Sequence, residues 1–339
     1  MGEGRSTLGR SMLAFALFMA MSLAAESQPS RLYVDNSNGD NVSVIDLESL
    51  KVIGDVKVGV PRIHGMALRP DGKLLAVTVE SDHSLRLIDT RTSLTTAVIK
   101  LSGKPNQCAM TPDGRYIVVP IRDGDRVDIV DVGLKQIVKE LPIKEPHNAV
   151  NIGSNRYTFV SSMGSNQVNV VDLKTMSFSA FIPAGGRPRP YVLTPDGKRM
   201  YVALANLHGF EIVDVAKKQP LRRVEIPAQH SGPPSPRQSE TPDTLTHGLA
   251  LTRDGKELWV TSLLDNRIYI YDIATQAIVG HLPTGDGPNW VVFSPDGKYA
   301  CVSNTDSDDV SILDVKQRRE ITRIKVGKTP KRLVVGIAP

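Results

Sequence analysis

The chain has 339 residues, 40% of them hydrophobic and only 5% aromatic, with 27 Gly and 23 Pro. That length suits two average domains or one large β unit, and the turn residues favour many short strands. The net charge is +5, with Lys and Arg spread along the chain rather than in blocks or among aromatics. Nucleic acid is therefore excluded as the default partner.

Residues 1–25 read as a signal peptide. Arg5 and Arg10 make a positive start, MLAFALFMAMSL is an apolar run too short to span a bilayer, and Ser22-Leu23-Ala24 offers small residues to a signal peptidase. No Cys stands at the cleavage point for lipid attachment, and no second long apolar run follows. The expectation is one periplasmic or secreted domain over residues 26–339, monomeric and without a transmembrane segment.

From RLYVDNS at residue 31 the chain falls into strands. In the unit opening at His64, the segments HGMALR, LLAVTV, SLRLIDT and LTTAVIKL are separated by PDG and other polar turns. Pro presets φ for such a turn, Asp binds the local backbone, and Gly accepts positive φ. The turn glycines Gly72, Gly114, Gly197, Gly255 and Gly297 lie 42, 83, 58 and 42 residues apart, and IGSNR fills the slot inside the double interval. NVSVID, RVDIVD, QVNVVD, RIYIYD and DVSILD alternate as half-buried antiparallel strands do.

Four strands repeating at this period are propeller blades. The lack of alternating helical segments excludes a TIM barrel or a doubly wound sheet. The chain opens on a second strand, RLYVDNS, and ends on a first strand, KRLVVGIA. The two ends must complete one blade together, giving an all-β seven-bladed propeller without an exposed sheet edge.

RLYVDNSNGDNVSVIDLESLKVIGDVKVG resembles the bacterial YVTN-type propeller repeat, and MYVALA, LWVTSL and ACVSNT echo it later. The resemblance covers residues 31–339. The repeat is also similar to the haem-binding propeller domain of periplasmic cytochrome-type nitrite reductase. This chain departs from that enzyme in having no Cys-x-x-Cys-His, so no covalently held haem is implied.

One position carries the candidate chemistry. In the repeated phrase that begins VPRIHGMALRPDG and recurs through GPNWVVFSPDG to TPKRLVVGIAP, it is occupied by His64, Asn106, His147, Arg189, His247, Asn289 and Lys331. First strands line a propeller's channel, so these residues are expected to ring one mouth. Three of the chain's seven histidines fall on this register.

Three functions fit such a ring. His64, His147 and His247 are candidate metal ligands, since imidazole suits zinc or copper, with non-covalent haem as a further cofactor. Arg189 and Lys331, with Asn106 and Asn289, are candidate ligands for a carboxylate or phosphate. The histidines would then shuttle protons in a lyase or lactonase. The third is a binding propeller that presents its mouth to a small ligand or another exported protein. It leads, because no complete catalytic motif accompanies the ring.

The 58-residue interval holds an insertion, QHSGPPSPRQSETPDT at 229–244, directly before His247. Its Pro, Ser and Gly content opposes regular structure, and its place makes it a candidate for gating the mouth. His208 is expected on the same side, with His83, His230 and His281 at the surface. Cys108 and Cys301 fall in blades on opposite sides of the ring, too far apart for a disulfide, and both are expected in the core.

Overall fold

A computed structural model describes residues 29–229, 236 and 241–339. The signal-peptide reading of residues 1–25 and most of the 229–244 insertion lie outside the described residues. Among the described residues, 28 strands form seven four-stranded antiparallel sheets. Six sheets take their strands consecutively, from residues 63, 109, 146, 188, 246 and 288 onward, and are numbered here as blades 1 to 6. Blade 7 joins the chain's ends. Its inner strand Pro330–Ile337 pairs with Ser30–Asn36, with Leu32 opposite Val335, followed by Asn41–Asp46 and Lys51–Lys57. The closure expected from the sequence is the closure observed.

Local chemistry explains the strand ends. Each PDG turn has Gly at positive φ, 72° at Gly72, and Asp71 Oδ1 accepts the Lys73 N–H at 3.0 Å. Gly72 is required twice over, since a Cβ there would meet the Ile337 carbonyl oxygen at 2.2 Å. In IGSNR, Ser154 takes the Asp slot and accepts the Arg156 N–H at 3.1 Å, while Asn151 accepts the N–H groups of Gly153 and Ser154. The Asp ending each third strand works alike at the outer turn. Asp46, for example, accepts the Ser49 N–H at 2.7 Å.

Packing runs between blades rather than within them. One apolar cluster joins Tyr33, Val42 and Val56 of blade 7 to Ile63, Met66 and Val77 of blade 1, and another joins Leu85 and Leu87 of blade 1 to Ile117 and Val119 of blade 2. In blades 2, 4 and 6 the third strand, which reads as alternating, also carries a central polar residue that binds the loop arriving from the preceding blade. Asp128 accepts the Ser102 N–H at 2.9 Å, Glu211 accepts the Gly185 N–H at 2.6 Å, and Ser311 accepts the Gly285 N–H at 3.2 Å. These bonds satisfy loop donors that the interblade packing removes from water.

Candidate functional site

The ring position coincides with a β-bulge in every blade. In blade 1 Ile63 pairs with Val79 but Gly65 with Thr78, and in blade 5 Thr246 pairs with Ser262 but Leu249 with Val260. The same one-residue slip occurs between Pro105 and Ala109, Pro146 and Ala149, Pro188 and Tyr191, Pro288 and Trp290, and Pro330 and Leu333. A bulge breaks the alternation and re-aims side chains, which is why bulges gather near functional sites. It also leaves a backbone N–H without a ladder partner.

The second strand supplies that partner. Gly65 N–H donates to Thr78 Oγ1 at 2.8 Å, Asn148 N–H to Ser161 Oγ at 2.9 Å, Gly248 N–H to Thr261 Oγ1 at 2.7 Å, and Trp290 N–H to Ser303 Oγ at 3.1 Å. Blade 4 has Ala203 in the hydroxyl slot, and its bulge residue, Pro190, has no N–H to satisfy. Blade 2 has Pro120 there, and Gln107 N–H turns to Asn106 Oδ1 at 2.8 Å. In blade 7 the slot holds a carboxylate. Asp35 Oδ1 accepts the N–H groups of Lys331 and Arg332, each at 2.8 Å. Burial raises the Asp35 pKa to about 7, against the pull of Arg332 and Lys331.

The side chains converge on the channel axis. The rings of His147 and His247, from blades 3 and 5, stand edge to face with centroids 6.4 Å apart. His247 Nδ1 lies 2.9 Å from the Asn289 carbonyl, which makes Nδ1 the protonated nitrogen. Arg332, only 2% exposed, donates from Nη1 to Asn289 Oδ1 at 2.8 Å, approaches His64 Nε2 at 3.4 Å through Nη2, and lies 4.4 Å over the Trp290 ring. His64 Nδ1 is 3.1 Å from Glu80, which also binds Arg122 at 3.1 Å and Lys104 at 3.3 Å. Arg189 is ion-paired with Asp243. Buried atoms here without a hydrogen-bond partner include His147 Nδ1, Asn289 Nδ2, Arg189 Nε and Asp35 Oδ2.

Burial pushes the pKa of His64 well below the usual histidine range, and Arg332, Lys331 and Arg122 push it further. Burial does the same to His147, aided by Arg189 and Arg332. Both rings are neutral at neutral pH.

The seven ring residues read from the sequence therefore sit together in part. His64, His147, His247 and Asn289 join one connected cluster. Asn106, 1% exposed, is spent on its own blade's bulge. Lys331 holds the expected register but is half-buried, and its neighbour Arg332 makes the contacts with His64 and Asn289. No group of three His, Cys, Asp or Glu side chains able to hold a metal occurs among the described residues. His64 Nε2 faces a guanidinium, an arrangement that opposes a divalent ion.

Sequence reasoning missed Arg332, Trp290, Asn148 and Glu80. The first three occupy the residue after the ring position, which shares the mouth only because of the bulge.

His208 bridges to the next blade through Ile226 O at 2.7 Å and Ser262 Oγ at 2.8 Å. His281 is exposed, His83 is half-buried, and His230 lies outside the described residues. Cys108 and Cys301 are free and buried in different clusters, as expected. Burial pushes each thiol up to about 12, so neither is a ready nucleophile.

Comparison with known proteins agrees with this architecture. Hydrazine synthase subunit beta of Kuenenia stuttgartiensis is 25% identical over 279 residues, covering 80% of this chain but 58% of that subunit. The chain thus spans less than two thirds of that relative. Protein NirF of Stutzerimonas stutzeri is 22% identical over 286 residues, covering 77% of this chain and 68% of NirF. Among solved structures, dihydro-heme d1 dehydrogenase NirN in complex with DHE superposes with a TM-score of 0.65 at 18% identity, covering 90% of this chain and 74% of that one. The YNCE-like beta-propeller model matches residues 6–337, and the chain belongs to that family.

Proposed function

We propose that the protein is an exported binding protein whose channel mouth holds a small anionic ligand, a carboxylate or phosphate. Arg332 and Arg189 supply the charge. His147, whose Nδ1 is buried without a hydrogen-bond partner, and Asn289 Nδ2 supply neutral donors beside them. The observation that carries this reading is Arg332, a guanidinium buried to 2% exposure in a histidine-lined mouth beside two polar atoms that lack partners. Buried polar groups are rarely left unpaired without a water or ligand to pair them. A guanidinium among neutral imidazoles favours an anion over a metal.

Calorimetric titration with acetate, malonate, citrate and phosphate tests the proposal. The wild type should bind at least one, Arg332→Ala should abolish that binding, and Arg332→Lys should restore little of it because the fork is lost. Binding of none of them, or binding unaffected in Arg332→Ala, overturns the reading.

A second reading keeps the site and enlarges the ligand to a tetrapyrrole carboxylic acid. It is supported by the likeness to NirN, whose structure is a complex with DHE, and by the facing rings of His147 and His247. A shift of the visible absorption band on titrating haem into the protein, lost in His147→Ala, would favour it.

A further inference from the structure

The junction between blades 2 and 3 is built on a short connector. Four residues join the outer strand of one blade to the inner strand of the next at 184–187, 284–287 and 326–329, but between blades 2 and 3 only residues 143–145 do so. The shortfall removes a bond. In blades 2, 4 and 6 the central polar residue of the third strand accepts the N–H of the connector's second residue, Ser102, Gly185 or Gly285. In blade 3 that polar residue is Asn169, and the one side-chain bond it makes among the described residues is to Gln167, whose Nε2 donates to Asn169 Oδ1 at 2.7 Å.

A cleft of ≈ 400 Å³ opens there, with Pro142 and Ile143 on one side, Phe178 and Phe181 on the other, and Gln167 and Asn169 between them. The two phenyl rings are 6.1 Å apart and tilted by 52°. Phe181 is 50% exposed, the only aromatic among the exposed large apolar side chains of the described residues. Exposed apolar surface gathered around a concavity marks ligand grooves. The two charged residues of the rim, Asp125 and Lys144, neutralise each other at 2.8 Å, so the cleft carries no net charge. The single bond between the amides leaves Asn169 Nδ2 as a donor and Gln167 Oε1 as an acceptor, and both atoms keep surface toward the cleft.

We infer that this cleft is a binding site for a neutral aromatic lactam, a flat ring carrying a carbonyl beside an N–H. The ring lies against Phe178 and Phe181. Its carbonyl accepts from Asn169 Nδ2, and its N–H donates to Gln167 Oε1. Turning both amides over exchanges donor and acceptor between the two side chains, so the pair survives either assignment. A carboxylate offers acceptors alone and would set an oxygen against Gln167 Oε1, while the one ammonium at the rim is held by Asp125. None of the lining residues belongs to the histidine mouth, so the two sites stand or fall separately.

2-Quinolone and 1-methyl-2-quinolone test this when titrated into the intact protein labelled with 4-fluorophenylalanine. The readout is the fluorine NMR signals of residues 178 and 181, assigned with Phe178→Leu and Phe181→Leu. 2-Quinolone should shift both signals to saturation. The methylated lactam has the same ring and carbonyl but no N–H, and should bind about tenfold more weakly or worse, the cost of one unmade hydrogen bond. Asn169→Leu should weaken 2-quinolone by a similar factor, and Arg332→Ala should leave its binding unchanged. The inference is overturned if 2-quinolone gives no saturable shift at either ring, or if the methylated lactam binds as well. It is overturned equally if Arg332→Ala weakens binding, or if a folded Asn169→Leu binds 2-quinolone like the wild type. The comparison of the two lactams needs only the wild type, so it decides the matter even if Asn169→Leu does not fold.

Discussion

Replacing Thr78 by Val tests whether the bulges depend on their hydroxyl partners. Thr78 is fully buried, accepts the Gly65 N–H at 2.8 Å and donates to the Asn106 carbonyl of the next blade at 3.0 Å. Valine keeps the shape and removes both bonds, stranding a donor and an acceptor away from water. Gly65 cannot relax toward another partner easily, because even a Cβ there would lie 2.6 Å from Asn106 O. An unsatisfied buried group costs about 1–3 kcal/mol, so the pair should cost about 2–6 kcal/mol.

With about 300 described residues, that is a fall in Tm of roughly 3–10 °C. Thr78→Ser should recover most of it. Ala203→Ser is the matched control. It adds a hydroxyl opposite Pro190, which has no N–H to give, and should not stabilise. Denaturant unfolding and calorimetry report both quantities. A Thr78→Val protein as stable as the wild type, or an Ala203→Ser protein stabilised by a comparable amount, would refute the bulge account.

Acidification should destabilise the fold through His64 and His147. Their folded pKa values are depressed, so the stability they contribute is present above about pH 6.5 and lost as pH falls, at up to about 1.4 kcal/mol per pH unit for each ring. Asp35 acts in the opposite sense. Its pKa is raised to about 7, so its contribution is greatest below about pH 4 and is lost as pH rises through 7. Asp35→Asn should therefore lose stability more steeply than the wild type between pH 7 and 5, and parallel melting curves across that range would contradict this. Cys108 and Cys301 should resist alkylation in the native protein and react only on unfolding, as mass spectrometry after native and denaturing labelling will show. Deleting residues 330–339 removes Arg332 and bares the Ser30–Asn36 strand that pairs with Pro330–Ile337. Cooperative unfolding should be lost, and a monomeric truncate that melts like the parent would contradict the role of closure.

The architecture was legible because its signals are local and repeated. A PDG turn or a VSVID strand states the same geometry in each copy, and the terminal half-blade follows from which strands are left over. The site was legible only to the register. Repeat position located His64, His147 and His247 at one mouth, but it treated the strand as regular.

The bulge is written in pairs of residues on two strands, Gly65 with Thr78 or Pro190 with Ala203, and only pairing makes the relation visible. Without it Lys331 takes the ring position, and regular alternation sets Arg332 on the opposite face of the strand. Glu80 was hidden for a different reason. It lies 16 residues beyond His64 in sequence, and only the antiparallel return of the second strand sets its carboxylate against the ring.

The most direct test of anion binding at the mouth is a crystal structure grown or soaked with a brominated carboxylate such as bromoacetate. Bromine's anomalous signal identifies the ligand without relying on its shape. An anomalous peak beside Arg332, with the carboxylate in hydrogen-bond reach of its guanidinium and of His147 or Asn289, is the predicted result. Peaks only elsewhere on the molecule, with the mouth holding water alone, would contradict it.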